Sequence, residues 1–145
     1  MDPAPQQDTR LKPALDALAE ADPALGRAYE SCGLPPVRKA EAGFGGLVSM
    51  IAAQQLSKEA AGAIVQRIRA RLDPLTPQAF LRLSEEEARG LGLSRPKYRY
   101  LTGLAEQAAS GALDFDWLVG QDDDTVLKHL TAQKGVGVWT AEIFL

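Results

Sequence analysis

Apolar residues along this chain recur at three- and four-residue intervals rather than at alternate positions, so the pattern predicts helices from end to end. The first is predicted over Leu11–Ala21. Asp22 can cap the next, with Pro23 in its first turn, and Gly33 closes it. The stretch from Gly33 to Gly43, which contains Pro35-Pro36, reads as a loop. Phe44–Gln55 is a mostly apolar helix and belongs in the core, and Ser57 can cap a helix running to about Leu72. Thr76-Pro77 and Ser84-Glu85-Glu86-Glu87 mark further starts, the second as a capping box in which the Ser and Glu side chains satisfy each other's N–H groups. Ser94 with Pro96 opens a helix to about Ser110, and Asp114–Val119 forms a short one. Asp122–Ala132 and Gly137–Leu145 flank a glycine-containing turn. With no convincing period-2 stretch, the fold class is all-α, a multi-helix bundle.

Residues 1–8, rich in Pro and Gln with nothing to bury, read as a disordered leader. Residues 9–145 are expected to form a single helical domain. Val138, Ile143, Phe144 and Leu145 look like the first turns of a buried helix that has no cap, so the domain is expected to be part of a longer chain and incomplete at its C-terminus.

Composition narrows the function. There is no run of about 18 apolar residues and no basic, apolar leader, so a cytoplasmic protein with no membrane partner is expected. Cys32 is the sole cysteine, which excludes an internal disulfide and a site built from several thiolates. A formal charge of −3 argues against coating nucleic acid by bulk attraction. Lys58, Arg67, Arg69 and Arg71 cluster on one predicted helix, and Arg95, Lys97 and Arg99 open another; such clusters are mostly solvated faces. The acidic runs Glu85–Glu87 and Asp122–Asp124 fall at predicted helix starts, where the helix dipole accounts for them. His129, the only histidine, lies on a predicted exposed face, and no Ser/His/Asp arrangement is credible.

The segment with most chemical content is Gln133-Lys134-Gly135-Val136-Gly137-Val138-Trp139-Thr140-Ala141-Glu142. Two glycines around one aliphatic residue, between two helices, can present backbone N–H groups at a helix start, where the dipole favours an anion. A bare Gly-x-Gly would equally serve as a helix C-cap followed by a new helix. Its surroundings decide the reading. They resemble the helix-hairpin-helix DNA glycosylases of base-excision repair, in the branch that removes alkylated purines (3-methyladenine DNA glycosylase II). Met50-Ile51-Ala52-Ala53-Gln54-Gln55-Leu56-Ser57 is similar to that branch's Gln-Gln-x-Ser segment. Leu91-Gly92-Leu93-Ser94-Arg95-Pro96-Lys97 is similar to its Leu-Gly-(Leu/Phe)-x-x-x-Lys helix start. The three segments stand in the family's order over Gly43 to Leu145.

The resemblance implies a helix-hairpin-helix at about residues 122–145, gripping the DNA backbone through Lys134, Gly135, Val136, Gly137 and Thr140. It implies a plug for the vacated base stack at Gln55, with Leu56 as runner-up, and a base pocket that includes Gln54 and Trp139. It also implies a structural monovalent cation on the main-chain carbonyls of Thr131, Gln133 and Val136, with no cofactor required. Strand-cutting relatives keep a Schiff-base lysine immediately before the Thr-Ala of the hairpin; Trp139 stands there, and an indole cannot form an imine. A monofunctional hydrolase is therefore expected, acting as a monomer on double-stranded DNA with alkylated bases, and nucleoid-associated if prokaryotic. The family's catalytic Asp follows the hairpin, beyond Leu145, so no catalytic residue is assigned within this chain. Glu142 lies on the wrong helix turn, and Asp114, Asp116 and Asp122–Asp124 read as caps. Two other readings remain: a non-enzymatic helix-hairpin-helix module that binds DNA for a partner, and a helical interaction domain with a fortuitous Gly-Val-Gly turn.

Overall fold

The computed structural model describes residues 9–37 and 41–145, and every regular element among them is helical. The proposed leader at 1–8 lies outside the described residues. The described residues fall into two compact units, within Met1–Lys39 and Ala40–Leu145. The first two helices pack on each other, and the Pro-Pro loop that follows them in sequence marks the boundary.

In the first unit a short 3-10 turn, Thr9–Leu11, leads into α1 (Lys12–Ala21), and α2 (Pro23–Cys32) follows after one residue. That residue, Asp22, accepts the Ala24 N–H at 2.7 Å and so caps α2 as its sequence requires. Neither helix buries a residue completely. Leu11, Leu18 and Leu25 stay half exposed, as does the free thiol's residue, Cys32.

The second unit is built around α3 (Gly43–Ala53), whose Leu47, Ile51 and Ala52 have no exposed surface. Around it lie α4 (Lys58–Arg71), α5 (Pro77–Phe80), α6 (Glu85–Leu91), α7 (Arg95–Ala109), α8 (Phe115–Leu118), α9 (Asp123–Thr131) and α10 (Val138–Phe144). Helix α3 packs against α4, α7, α8 and α10. Phe80 is the largest fully buried side chain; its ring lies edge-on to Phe44 and beside Tyr98, with centroids 6.0 and 6.2 Å away. Burying a Phe of this kind contributes about 1.5–3 kcal/mol. The Tyr98 hydroxyl donates to the Leu83 carbonyl at 2.8 Å, so an otherwise apolar contact has a fixed direction.

The helix starts follow the predicted caps. Ser57, Thr76, Ser84, Ser94, Asp114 and Asp122 each accept a first-turn N–H, and Ser84 with Glu87 completes the capping box. One boundary differs in a way that matters: α3 ends at Ala53, not at Gln55. No helix of the described residues is long and apolar enough to cross a membrane.

Candidate nucleic-acid interface

Two turns meet in this unit. The first follows α3. Gln54 has φ −51° and ψ 133°, Gln55 has φ 59°, and the Leu56 N–H donates to the Ala53 carbonyl at 3.2 Å. These values define a type II β-turn with Gln54 and Gln55 at its centre. Gln55 is the one non-glycine residue with positive φ among the described residues, in a position that normally takes Gly or Asn. Holding it there costs about 1 kcal/mol, which the surrounding structure must offset. Gln55 and Leu56 are both exposed at the apex, and Ser57 then starts α4.

The second turn joins α9 to α10. The Gln133 N–H donates to the Leu130 carbonyl at 3.0 Å, and the Val136 N–H donates to the Gln133 carbonyl at 3.2 Å. The two glycines, alike in sequence, differ in role. Gly135 has φ 89°, and a Cβ there would sit 2.6 Å from Tyr100 Cγ, so both its conformation and its packing require glycine. Gly137 has φ −88° and ψ 171°, ordinary extended backbone, and a Cβ there would meet nothing within 4 Å. Neither its φ nor its packing requires glycine at Gly137; only its place as the N-cap of α10 favours Gly over an apolar residue.

Gly137 opens α10 with no side-chain cap, and the first helical bond is from the Ala141 N–H to its carbonyl. The N–H groups of Val138, Trp139 and Thr140 therefore have no partner within the helix. Lys134 is exposed on the turn, and Trp139 is 66% exposed on the first turn of α10. Val136 is buried, so its side chain anchors the hairpin to the core and only its main chain can reach a ligand. Thr140, expected among the DNA-gripping residues, is buried at 3% exposure, and its hydroxyl accepts from the Gln54 amide.

Gln54 joins the two turns. Its amide nitrogen donates to the Gly135 carbonyl at 3.1 Å and to the Thr140 hydroxyl at 3.3 Å. The residue expected to line a base pocket thus has its amide nitrogen on the hairpin, because a carbonyl and a hydroxyl there need a donor. Lys97, in the first turn of α7, places its ammonium 2.7 Å from both the Ala52 and the Gln54 carbonyl oxygens. These are carbonyls at the negative end of α3, and a cation suits them. Burial lowers the Lys97 pKa from its ordinary value. The expectation that Lys97 belongs to a solvated basic face is overturned: the lysine points inward.

The other basic residues are largely engaged within the fold. Arg67 donates to the Leu91 carbonyl, Arg69 pairs with Glu41, Arg71 pairs with Glu87 at 2.7 Å, and Arg95 pairs with Glu85 at 2.5 Å. The Ser84 N–H, the Arg71 guanidinium and the Ser84 hydroxyl hold the Glu87 carboxyl well below the usual range, at about 2. The Thr125 N–H and hydroxyl lower Asp122 in the same way. His129 is exposed with its ring edge-on to Trp117 at 5.0 Å.

Among the described residues no group of three or more His, Cys, Asp or Glu could hold a metal ion. The carbonyl set predicted from the resemblance is a different kind of donor. Thr131 ends α9, so its carbonyl lies at the negative end of that helix, and Gln133 and Val136 lie in the turn after it. The chemistry fits a hard monovalent cation, since oxygen ligands suit hard ions and carbonyl oxygens can replace a hydration shell.

With this geometry in place, comparison with known proteins is direct. Residues 48–139 match the model of the HhH-GPD superfamily of base excision DNA repair proteins, and the chain belongs to that family. The matched span contains both turns. The chain is 38% identical to a DNA-3-methyladenine glycosidase from Bacillus halodurans, with a TM-score of 0.74 over 87% of this chain and 59% of that one. A 3-methyladenine DNA glycosylase from Schizosaccharomyces pombe, solved in complex with abasic DNA, superposes with a TM-score of 0.80 at 26% identity, over 91% of this chain and 68% of that one. The sequence of DNA-3-methyladenine glycosylase 1 from the same yeast is 30% identical over 103 residues, 68% of this chain and 45% of that protein. The chain thus spans about half the length of the curated relative it matches.

Proposed function

We propose that this chain is the hairpin-bearing part of a monofunctional DNA glycosylase that removes alkylated purines of the 3-methyladenine type. The observation that carries the reading is Trp139: an indole, 66% exposed, on the first turn of the uncapped helix α10. It stands where a strand-cutting relative keeps its lysine, and it offers a ring face rather than an amine. A positively charged alkylated purine stacks well on such a face.

The other parts follow from the same surface. The N–H groups of the Gly135–Thr140 segment that the turn and helix leave unbonded, with Lys134 beside them, grip a backbone phosphate of double-stranded DNA; the Val136 N–H, bonded to Gln133, is not among them. Gln55 enters the stack vacated by the flipped nucleotide, and Leu56 extends the wedge. A monovalent cation on the Thr131, Gln133 and Val136 carbonyls would supply positive charge at the hairpin for the same phosphate. The protein acts as a monomer. The carboxylate that stabilises the developing oxocarbenium ion is not assigned to this chain, and Glu142 is not promoted to it.

The test is the reaction catalysed by the full-length protein on alkylated duplex DNA. It should release the free base and leave an intact abasic strand, and borohydride should trap no covalent adduct. A trapped adduct that disappears in Lys134→Ala would overturn the monofunctional assignment. Binding without base release would favour a non-enzymatic DNA-binding module instead.

A further inference from the structure

We propose that Lys97 is a positioning residue that selects the conformation of the Gln54–Gln55 turn and thereby aims Gln55. The inference rests on the plug reading of Gln55. It goes beyond that reading by naming what holds the plug in place.

A type I and a type II turn share their end residues and their closing hydrogen bond. They differ by a flip of the central peptide, which moves ψ of the first central residue and φ of the second by about 150° or more. Here the central peptide joins Gln54 to Gln55. In the type I form Gln55 would have negative φ, which any residue adopts; in the observed form it has φ 59°. Left to itself, a Gln-Gln turn should relax to type I. What opposes relaxation is the Gln54 carbonyl, the group that the flip would swing away, which accepts from Lys97 Nζ at 2.7 Å. The second Lys97 bond, to Ala52 at 2.7 Å, fixes the ammonium on the last turn of α3, so it cannot follow the flip.

The same helix supports the hairpin. Tyr100 lies three residues after Lys97, on the same side of α7, and its ring lies against Gly135. Lys97 under one turn, Tyr100 under the other, and the Gln54 amide between them fix the plug relative to the phosphate grip. A strained backbone persists only when its surroundings over-determine it; here the two Lys97 bonds hold the Gln54 carbonyl in place and the Gln54 amide ties the turn to the hairpin.

The experiment compares Lys97→Met and Lys97→Arg with the parent in the full-length protein. The first readout is the affinity for a duplex carrying a tetrahydrofuran abasic site relative to the same duplex intact. The second is the one-bond Cα–Hα coupling of Gln55, which separates positive from negative φ. Lys97→Met should lower the abasic preference about tenfold, with binding to intact duplex little changed, and should move Gln55 to negative φ. Lys97→Arg, which can still donate to both carbonyls, should recover most of the preference. If Lys97→Met melts below the assay temperature, Lys97→Gln, neutral and shorter than lysine, takes its place. Retained preference and retained positive φ in Lys97→Met, while Gln55→Ala loses the preference, would overturn the positioning role and leave the plug reading intact. A parent with no abasic preference would overturn both.

Discussion

The amide nitrogen of Gln54 lies 3.1 Å from the carbonyl oxygen of Gly135, joining two turns that are 81 positions apart in the chain. Because the same nitrogen also reaches Thr140, removing it strands a carbonyl and a buried hydroxyl together. Leaving such groups unsatisfied costs about 1–3 kcal/mol, so Gln54→Leu should lower stability by that amount in chemical denaturation. An unchanged midpoint would mean that the two turns are held together by apolar packing alone.

The two hairpin glycines should separate structure from binding. Gly135→Ala meets positive φ and the Tyr100 ring at once, and the nearest atoms include the Tyr100 Cβ, which cannot swing aside. It should cost about 1–3 kcal/mol in a thermal melt. Gly137→Ala has ordinary φ and open space but places Ala at the α10 N-cap, so stability should fall by no more than about 0.5–1 kcal/mol while duplex affinity falls, because a methyl there would crowd a phosphate approaching the α10 N–H groups. Equal DNA affinity in Gly137→Ala and the parent would remove the phosphate grip from this turn.

What the sequence reveals here is what local chemistry decides. Ser57, Ser84, Ser94, Asp114 and Asp122 cap the helices expected of them, because a cap needs only a short polar side chain and the next few N–H groups. The Gln54–Gln55 turn was hidden for the opposite reason. A Gln at positive φ has no sequence signal, and the lysine that holds it lies 43 residues away. Lys97 reads both as one more charge in a basic cluster and as the lysine of the family's helix-start motif, and nothing local tells an inward lysine from a solvated one. Gly135 and Gly137 are indistinguishable as letters; the positive φ of one and the Tyr100 ring beneath it set them apart. The family's motifs mark the segments that form the two turns, but not which of their atoms face solvent.

Acid should act through the capping box of α6. The Glu87 carboxyl is depressed to about 2 in the fold, so the stability it contributes is complete above the ordinary carboxyl value and is lost as pH falls from there through about 2. Glu87→Gln removes that titration. Melting temperature followed from pH 5 downward should therefore fall less steeply in the variant than in the parent. Asp122, lowered by its own cap, retains a slope of the same sign in both. Identical acid limbs would mean that Glu87 is not ionised against Ser84 and Arg71 in solution.

Trp139 provides the sharpest division between packing and function. A ring that is 66% exposed leaves little behind when it is removed, so Trp139→Ala should change the stability of the fold by less than about 0.5 kcal/mol. Its proposed work is on a flipped, cationic purine, where a desolvated stacking contact contributes about 2 kcal/mol or more. The full-length variant should accordingly excise an alkylated base more than tenfold slower in single turnover, with non-specific duplex binding nearly unchanged. Trp139→Phe should retain a large part of the rate, because a smaller ring still presents a face. Trp139→Lys should not produce strand cleavage, since the pocket loses its ring when it gains the amine. A several-degree loss of melting temperature in Trp139→Ala, with an unaltered excision rate, would make the indole a packing residue and remove it from the pocket.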